Sequence, residues 1–218
     1  MDRKTKRPKS MHPPLSQPEK LAAWAGVRDP IVIAGMLEIP VHRVRHPESR
    51  LPGLTCQIDG RPSIFLNEAY FETLMRRDRT YCEEDMQNDL MQVAAHELGH
   101  ACLHRRELRH GAIREYEIFN VRTRMEIEAN QFAAGIRIDK NEMLDRFASE
   151  MDLLQVARSM QVNVNLLIYR IEMLRQEGMR LGELPYLPKH NCIGHIQAAG
   201  SPEWGGGAED RPTNNIAQ

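Results

Sequence analysis

The stretch Val93-Ala94-Ala95-His96-Glu97-Leu98-Gly99-His100-Ala101-Cys102-Leu103-His104 constrains this chain more than any other. Residues four apart on a helix lie one above the other, so His96 and His100 share a face and can converge on one metal ion. Glu97 then falls beside the ion, where a base is wanted if water is to be activated next to zinc for attack on a carbonyl. An amphipathic helix with two half-buried histidines would give the same five letters, and the setting decides between the two readings. Leu90, Val93, Ala94, Leu98, Ala101 and Cys102 supply an apolar side, and the periodicity predicts a helix over 84–108 with Gly99 as its one weak point. A glycine inside a helix costs about 1 kcal/mol relative to alanine, so its place beside a ligand points to close approach of another element.

Zinc hydrolases take three protein ligands and leave a fourth position open. On an uninterrupted helix His104 sits about 12 Å along the axis from His96, so it is expected to orient a neighbouring group or pack near the site entrance. His110, followed by Gly111, makes a weak geometric case as a ligand. A helix starting at Val121 or Thr123 and reaching Ala134 offers Glu126 and Glu128, which lie on different faces. Met125, Ala129 and Phe132 mark its inward side, and Glu128 borders that side. A carboxylate there is costly unless it is paired or binds a metal. Glu128 is therefore the expected third ligand, with Glu126 in reserve. Asn130 either supports a histidine ring from behind or is a surface amide. Tyr116, His104 and His110 are candidates for stabilising a developing oxyanion, with none singled out. Imidazole and carboxylate ligands accept manganese as well as zinc.

Composition narrows the rest. A chain of 218 residues can bury one good core and a small second lobe. With 29 basic and 30 acidic residues the formal net charge is -1, which lends no support to direct nucleic-acid binding. Cys56, Cys82, Cys102 and Cys192 are too scattered for a zinc ribbon or a disulfide framework, and Cys102 reads as a small buried thiol. No signal peptide is visible, and the longest apolar run, 31–37, is too short to span a bilayer. A reduced cytoplasmic setting with no membrane contact is the expectation.

Taken in order, 1–19 reads as a disordered basic arm carrying Arg3, Lys4, Lys6, Arg7 and Lys9. A short helix over 20–26 follows, then a second to Leu37 with Asp29 as N-cap and Pro30 at its first position. Strands are expected over 41–44, 54–58 and 63–66, and Asp59-Gly60 predicts an antiparallel hairpin between the last two. Asn67-Glu68 opens a helix to about Met75. Beyond Ala134, the segment between Gly135 and Asp139 is either the tail of its helix or an extended turn. Helices are then expected over 141–147, 151–160 and from Asn163 or Asn165 to Glu177, with Gly178 as the stop. The turn over 160–165 has the form of a helix-turn-helix unit, but Leu166, Leu167, Ile168, Ile171, Met173 and Leu174 suit packing better than DNA reading. From Gly182 the periodicity is lost. The fold class is α+β, mostly helical, with a small antiparallel sheet and trailing C-terminal helices. The organisation is an arm over 1–19, a catalytic domain over 20–138, a helical subdomain over 139–180 and a tail over 181–218.

His96-Glu97-Leu98-Gly99-His100-Ala101-Cys102-Leu103-His104, followed after a charged connection by Glu126-Ile127-Glu128-Ala129-Asn130-Gln131-Phe132-Ala133-Ala134, resembles the ImmA/IrrE family of cytoplasmic metallopeptidases. The resemblance extends over roughly 29–177. It implies a zincin-like fold, zinc on His96 and His100, Glu97 as catalytic base, and the glutamate directly before Ala129-Asn130, Glu128, as third ligand. It also implies a protein substrate, since the best understood members, from bacteria and their mobile elements, cleave a helix-turn-helix repressor. Where relatives run into an apolar stretch ending in proline, this chain has Gly135-Ile136-Arg137-Ile138-Asp139-Lys140. The rival function is a regulatory or sensing protein that keeps the fold for binding without proteolysis, and the intact Glu97 argues against it.

Overall fold

The computed structural model describes residues 13–110, 124–149 and 151–181. Tyr116, the arm up to residue 12 and the tail from residue 182 lie outside the described residues, as does the side chain of His110. Eight α-helices and a three-stranded sheet account for the regular structure described.

Helix α1 (Pro18–Ala25) starts on a proline and stops at Gly26, whose left-handed φ of 72° is a conformation glycine adopts without penalty. Helix α2 (Pro30–Met36) is capped by Asp29, which accepts from the N–H groups of Ile31 at 2.8 Å and Val32 at 3.1 Å. Strands β1 (Val41–Val44), β2 (Gly53–Ile58) and β3 (Arg61–Asn67) form a sheet of order β1-β3-β2. The β2–β3 pairing is the expected antiparallel hairpin, turned by Asp59 and Gly60 at φ of 50° and 78°. The β1–β3 pairing is parallel, with Val41 opposite Ile64, so the sheet is mixed rather than wholly antiparallel. The segment between β1 and β2 must return across the sheet end to allow this. Asn67 holds it there: its amide oxygen accepts from His46 N at 2.9 Å, and its nitrogen donates to the carbonyls of His46 and Leu51.

Helix α3 (Glu68–Arg77) leads to α4 (Glu83–Leu103), whose first turn carries Glu83, Glu84 and Asp85 against the positive end of the helix dipole. The Asp85 carboxylate also accepts from Cys82 N at 2.9 Å. Helix α4 ends at Leu103, five residues short of expectation, and the chain continues through one 3-10 turn, Glu107–His110. No glycine or proline stops it. His104 leaves helical geometry with its ring engaged between α4 and α5, and Arg105 Nε takes up the Ala101 carbonyl at 3.2 Å.

Helix α5 (Arg124–Arg137) runs on through Gly135, so the ambiguous segment is helix tail, and Asp139 caps α6 (Lys140–Ala148). Arg28 joins the two across more than a hundred residues of sequence. It donates to the Gly135 and Ile136 carbonyls at 2.9 and 3.1 Å and pairs with Asp139 at 2.6 Å. The carbonyl end of α5 thus receives a cation, as the dipole favours. Helices α7 (Leu153–Ser159) and α8 (Val164–Gln176) follow, and Gly178 closes α8 at φ 93°. The helix-turn-helix-like turn between them docks on α4, where the Gln92 amide oxygen accepts from Asn163 N at 2.8 Å. Leu166, Leu167, Ile171 and Leu174 of α8 are buried.

Two apolar clusters fill the described part of the molecule. One lies among α1–α5 and the sheet, with Leu21, Ile33, Ile64, Leu66, Phe71, Val93, Leu98, Phe132 and Ile136. The other gathers Ile138, Met143, Val156, Leu166, Leu167 and Leu174 under the trailing helices, and takes in Ala95 of α4 and Ala133 and Ala134 of α5. Between Val93 and Cys102 every residue of α4 is buried, so this half of the helix has no solvent face. Small side chains let α5 cross it closely. A Cβ added at Gly99 would lie 3.1 Å from Ala129 Cα and 3.2 Å from Phe132 Cβ.

Candidate metal centre

The crossing of α4 and α5 brings three groups together. His96 and His100 project from one face of α4 and present their Nε2 atoms 3.0 Å apart. Glu126, in the first turn of α5, closes the triangle: its Oε2 is 3.2 Å from His96 Nε2 and its Oε1 is 3.2 Å from His100 Nε2. All three residues are buried, Glu126 with 2 % of its surface exposed. The carboxylate expected here was Glu128, and the geometry corrects that expectation. Glu128 Oε2 instead meets His104 Nε2 at 3.2 Å while Oε1 meets Arg124 Nε at 2.6 Å, and its side chain stays 34 % exposed. Residues 126, 129, 130 and 133 form the stripe of α5 that is turned to α4, and position 128 falls on the border of that stripe.

The remaining nitrogens of both rings have partners. His96 Nδ1 lies 2.8 Å from Asn130 Oδ1, so Asn130 stands behind a ring and is not a surface amide. An amide oxygen only accepts, which puts the proton of a neutral His96 on Nδ1 and leaves Nε2 with its lone pair towards Glu126. His100 Nδ1 lies 2.9 Å from His104 Nδ1, which puts His104 behind the ring rather than at the metal face.

Glu97 occupies the opposite flank. Strand β2 runs beside α4 and places the Thr55 hydroxyl 2.7 Å from Glu97 Oε2 and 3.0 Å from the Glu97 carbonyl oxygen. One hydroxyl has one proton to give. It can donate to the ionised carboxylate, or accept from the protonated acid while donating to the carbonyl, so Thr55 is satisfied in both states of Glu97. Gly53, two residues earlier on the same face of β2, makes room: a Cβ there would lie 2.5 Å from Val93 Cγ1 and 3.0 Å from Glu97 Cγ. Neither Thr55 nor Gly53 was expected from the motif.

Charge in the pocket is set by burial and by the cluster itself. Burial pushes the Glu97 carboxyl up to about 7, against the opposing pull of His96 and Thr55. Burial drives His100 down to about 4, with Glu126 offsetting part of the effect. For Glu126 burial acts upward, but hydrogen bonding to His100 and His96 outweighs it and holds the carboxyl at about 2. Burial also works against a charged His96, yet Glu126 and Glu97 raise it above its ordinary value. The point between the rings and Glu126 therefore attracts positive charge.

A divalent ion suits that point. Two imidazole nitrogens and a carboxylate are the ligand set of many zinc hydrolases. A tetrahedral ion with bonds of about 2.0–2.1 Å holds its ligand atoms about 3.3 Å apart, and the three separations here are 3.0, 3.2 and 3.2 Å. His96, His100 and Glu126 are also the one such cluster of metal-ligating side chains among the described residues.

The same stretch of sequence matches a known family. The M78 peptidase family model, described as the IrrE N-terminal-like domain, matches residues 81–172. Residues 81–172 are thus similar to an ImmA/IrrE-type peptidase domain. The matched stretch holds α4, α5 and most of the trailing helices, a narrower span than 29–177, and leaves β2 with Gly53 and Thr55 outside it. Neither the curated proteins nor the solved structures give a match. No helix among the described residues is long and apolar enough to cross a membrane.

Proposed function

We propose that this ImmA/IrrE-type domain is a zinc-dependent endopeptidase that cuts a regulatory protein in the cytoplasm, with a helix-turn-helix repressor as its substrate. The observation that carries the reading is the buried convergence of two imidazoles and one carboxylate beside a second, proton-accepting carboxylate. A purely structural site has no use for Glu97. His96, His100 and Glu126 would hold the ion, and manganese would satisfy the same ligands. When bound, such an ion supplies a Lewis acid that polarises the scissile carbonyl and makes water more acidic.

The chain's own groups supply the rest. Glu97, buried and pushed up to about 7, is poised to take a proton from the attacking water and hand it to the leaving amine near neutral pH. Thr55 keeps the carboxylate aimed through that cycle, because it is hydrogen-bonded whether or not Glu97 holds the proton. Asn130 and His104 fix the two rings from behind.

Metal analysis of the purified chain should find about one zinc per molecule, with Glu126→Ala and His96→Ala depleted and Glu97→Gln retaining it. Coexpression with the repressor encoded nearest to the gene should then yield a cut repressor with wild type and an intact one with Glu97→Gln. Equal zinc in wild type and His96→Ala would remove the metal centre from the account. Full zinc with no cleavage, under the inducing stress, would favour the non-proteolytic binding protein.

A further inference from the structure

We infer that Glu128 sets which nitrogen of His100 bears the ring proton, acting through His104. The consequence for metal binding rests on the metallopeptidase reading; the hydrogen-bond polarity does not. The chain of contacts is continuous, running from exposed Arg124 through half-buried Glu128 to two buried rings. Arg124 Nε donates to Glu128 Oε1 at 2.6 Å, Glu128 Oε2 lies 3.2 Å from His104 Nε2, and His104 Nδ1 lies 2.9 Å from His100 Nδ1. His104 has 3 % and His100 2 % of its surface exposed, which leaves little access for water to substitute.

Polarity follows from what each end can do. An ionised carboxylate only accepts, so His104 Nε2 must be the donor. A neutral imidazole has one N–H, so His104 Nδ1 is then a bare lone pair. The atom facing it, His100 Nδ1, must donate, and the proton of a neutral His100 is therefore on Nδ1. Its Nε2 lone pair is left pointing between His96 and Glu126.

Such a device is needed at this position. Glu126 Oε1, 3.2 Å from His100 Nε2, would by itself draw the ring proton to Nε2 and block the lone pair a metal requires. His96 is held in the useful tautomer directly by Asn130, one contact away. On its Nδ1 side His100 is served instead by a second ring, with the carboxylate one step further out. Glu126 and Glu128, two residues apart, thus act on the same histidine from opposite sides. Glu128 is a positioning residue in this scheme, since it touches neither the metal point nor a substrate.

The test reads the tautomer itself in the full-length, metal-free chain, labelled with 15N-histidine, by long-range proton–nitrogen correlation at mildly alkaline pH. His100 should carry its proton on Nδ1 in wild type and in Glu128→Gln, whose amide oxygen still accepts. Glu128→Lys offers only donors; it should reverse His104 and move the His100 proton to Nε2. If the lysine variant does not fold, His104→Phe gives the same reading, because removing the Nδ1 acceptor leaves Glu126 to claim the proton. Zinc competition is the second readout: Glu128→Gln should stay near wild type, and Glu128→Lys should weaken by about 10- to 100-fold. An Nε2 proton on His100 in wild type, or an Nδ1 proton in a folded Glu128→Lys or His104→Phe, overturns the inference. Should the tautomers follow Glu128 while wild type ignores zinc, the relay stands and the metallopeptidase reading fails. The converse result separates them the other way.

Discussion

Replacing Gly99 by alanine tests whether the closeness of the helix crossing shapes the metal centre. The added Cβ would lie 3.1 Å from Ala129 Cα, 3.2 Å from the Ala129 carbonyl oxygen and 3.2 Å from Phe132 Cβ. Carbon atoms pack best at about 3.5–4.0 Å. None of the three atoms is the loose end of a side chain, so α4 and α5 must part by roughly half an ångström to restore that spacing. Two effects oppose each other in stability: alanine gains about 1 kcal/mol of helix propensity, and overpacking costs about 1–3 kcal/mol. A net loss of about 1 kcal/mol corresponds to a Tm lower by roughly 2–4 °C for a chain of this size. The site should suffer more than the fold. Ligand distances at a metal are held to about 0.2 Å, and Glu126 sits on the helix being displaced while His100 directly follows Gly99. Zinc affinity is expected to fall by about 10- to 100-fold, the range seen when groups that orient metal ligands are lost. Thermal unfolding and zinc competition on the same preparations measure both. A variant with a lower Tm and wild-type zinc affinity would refute the reasoning, since the crossing would then not set the place of Glu126.

Gly53→Ala perturbs the other flank: its Cβ would strike Val93 and Glu97, so peptidase activity should drop at least about tenfold through a misplaced base while zinc content holds near wild type. Loss of zinc together with activity would show that the damage spreads to the ligands. For pH dependence, Asp139 is the clearest group, held below its ordinary value by backbone hydrogen bonding to Glu142 and by Arg28. Its contribution is fully present above the unfolded pKa of about 3.9 and is lost as pH falls through the lower folded value. Asp139→Ala should therefore destabilise by about 1 kcal/mol at neutral pH and by progressively less in acid, as urea denaturation at several pH values would show; a constant difference would contradict it.

Much of this arrangement was legible in local chemistry. Asp29-Pro30 announces a helix start and Asp59-Gly60 a hairpin because each residue type there does one steric or hydrogen-bonding job, with no need of the rest of the molecule. The histidine pair declares itself for the same reason, since four-residue spacing fixes a shared face. Met125, Ala129 and Phe132 together point to an inward side bordered by Glu128, yet Ala129 and Phe132 are buried while Met125 is only half-buried, which turns the stripe towards Glu126. Where the two helices touch most closely, small Gly99 and Ala129 set the approach. Asn130, four residues after Glu126, was the available signal: a polar pair on one face is what two histidines across the way require. The end of α4 had no such signal. Ala101, Cys102 and Leu103 propagate a helix well, and the stop comes from tertiary engagement of His104. Thr55 and Gly53 owe their importance to a strand laid across a helix some forty residues later, which no local pattern encodes.

Because α4 and α5 each contribute to both apolar clusters, the described part of the chain has no plane along which it could divide without exposing one of its two central helices. Denaturant should dissolve everything in one step, and trimming the last helices would strip cover from the very segments that hold His96, His100 and Glu126. The trailing part thus backs the three-residue cluster, so a change made there is felt at His96, His100 and Glu126.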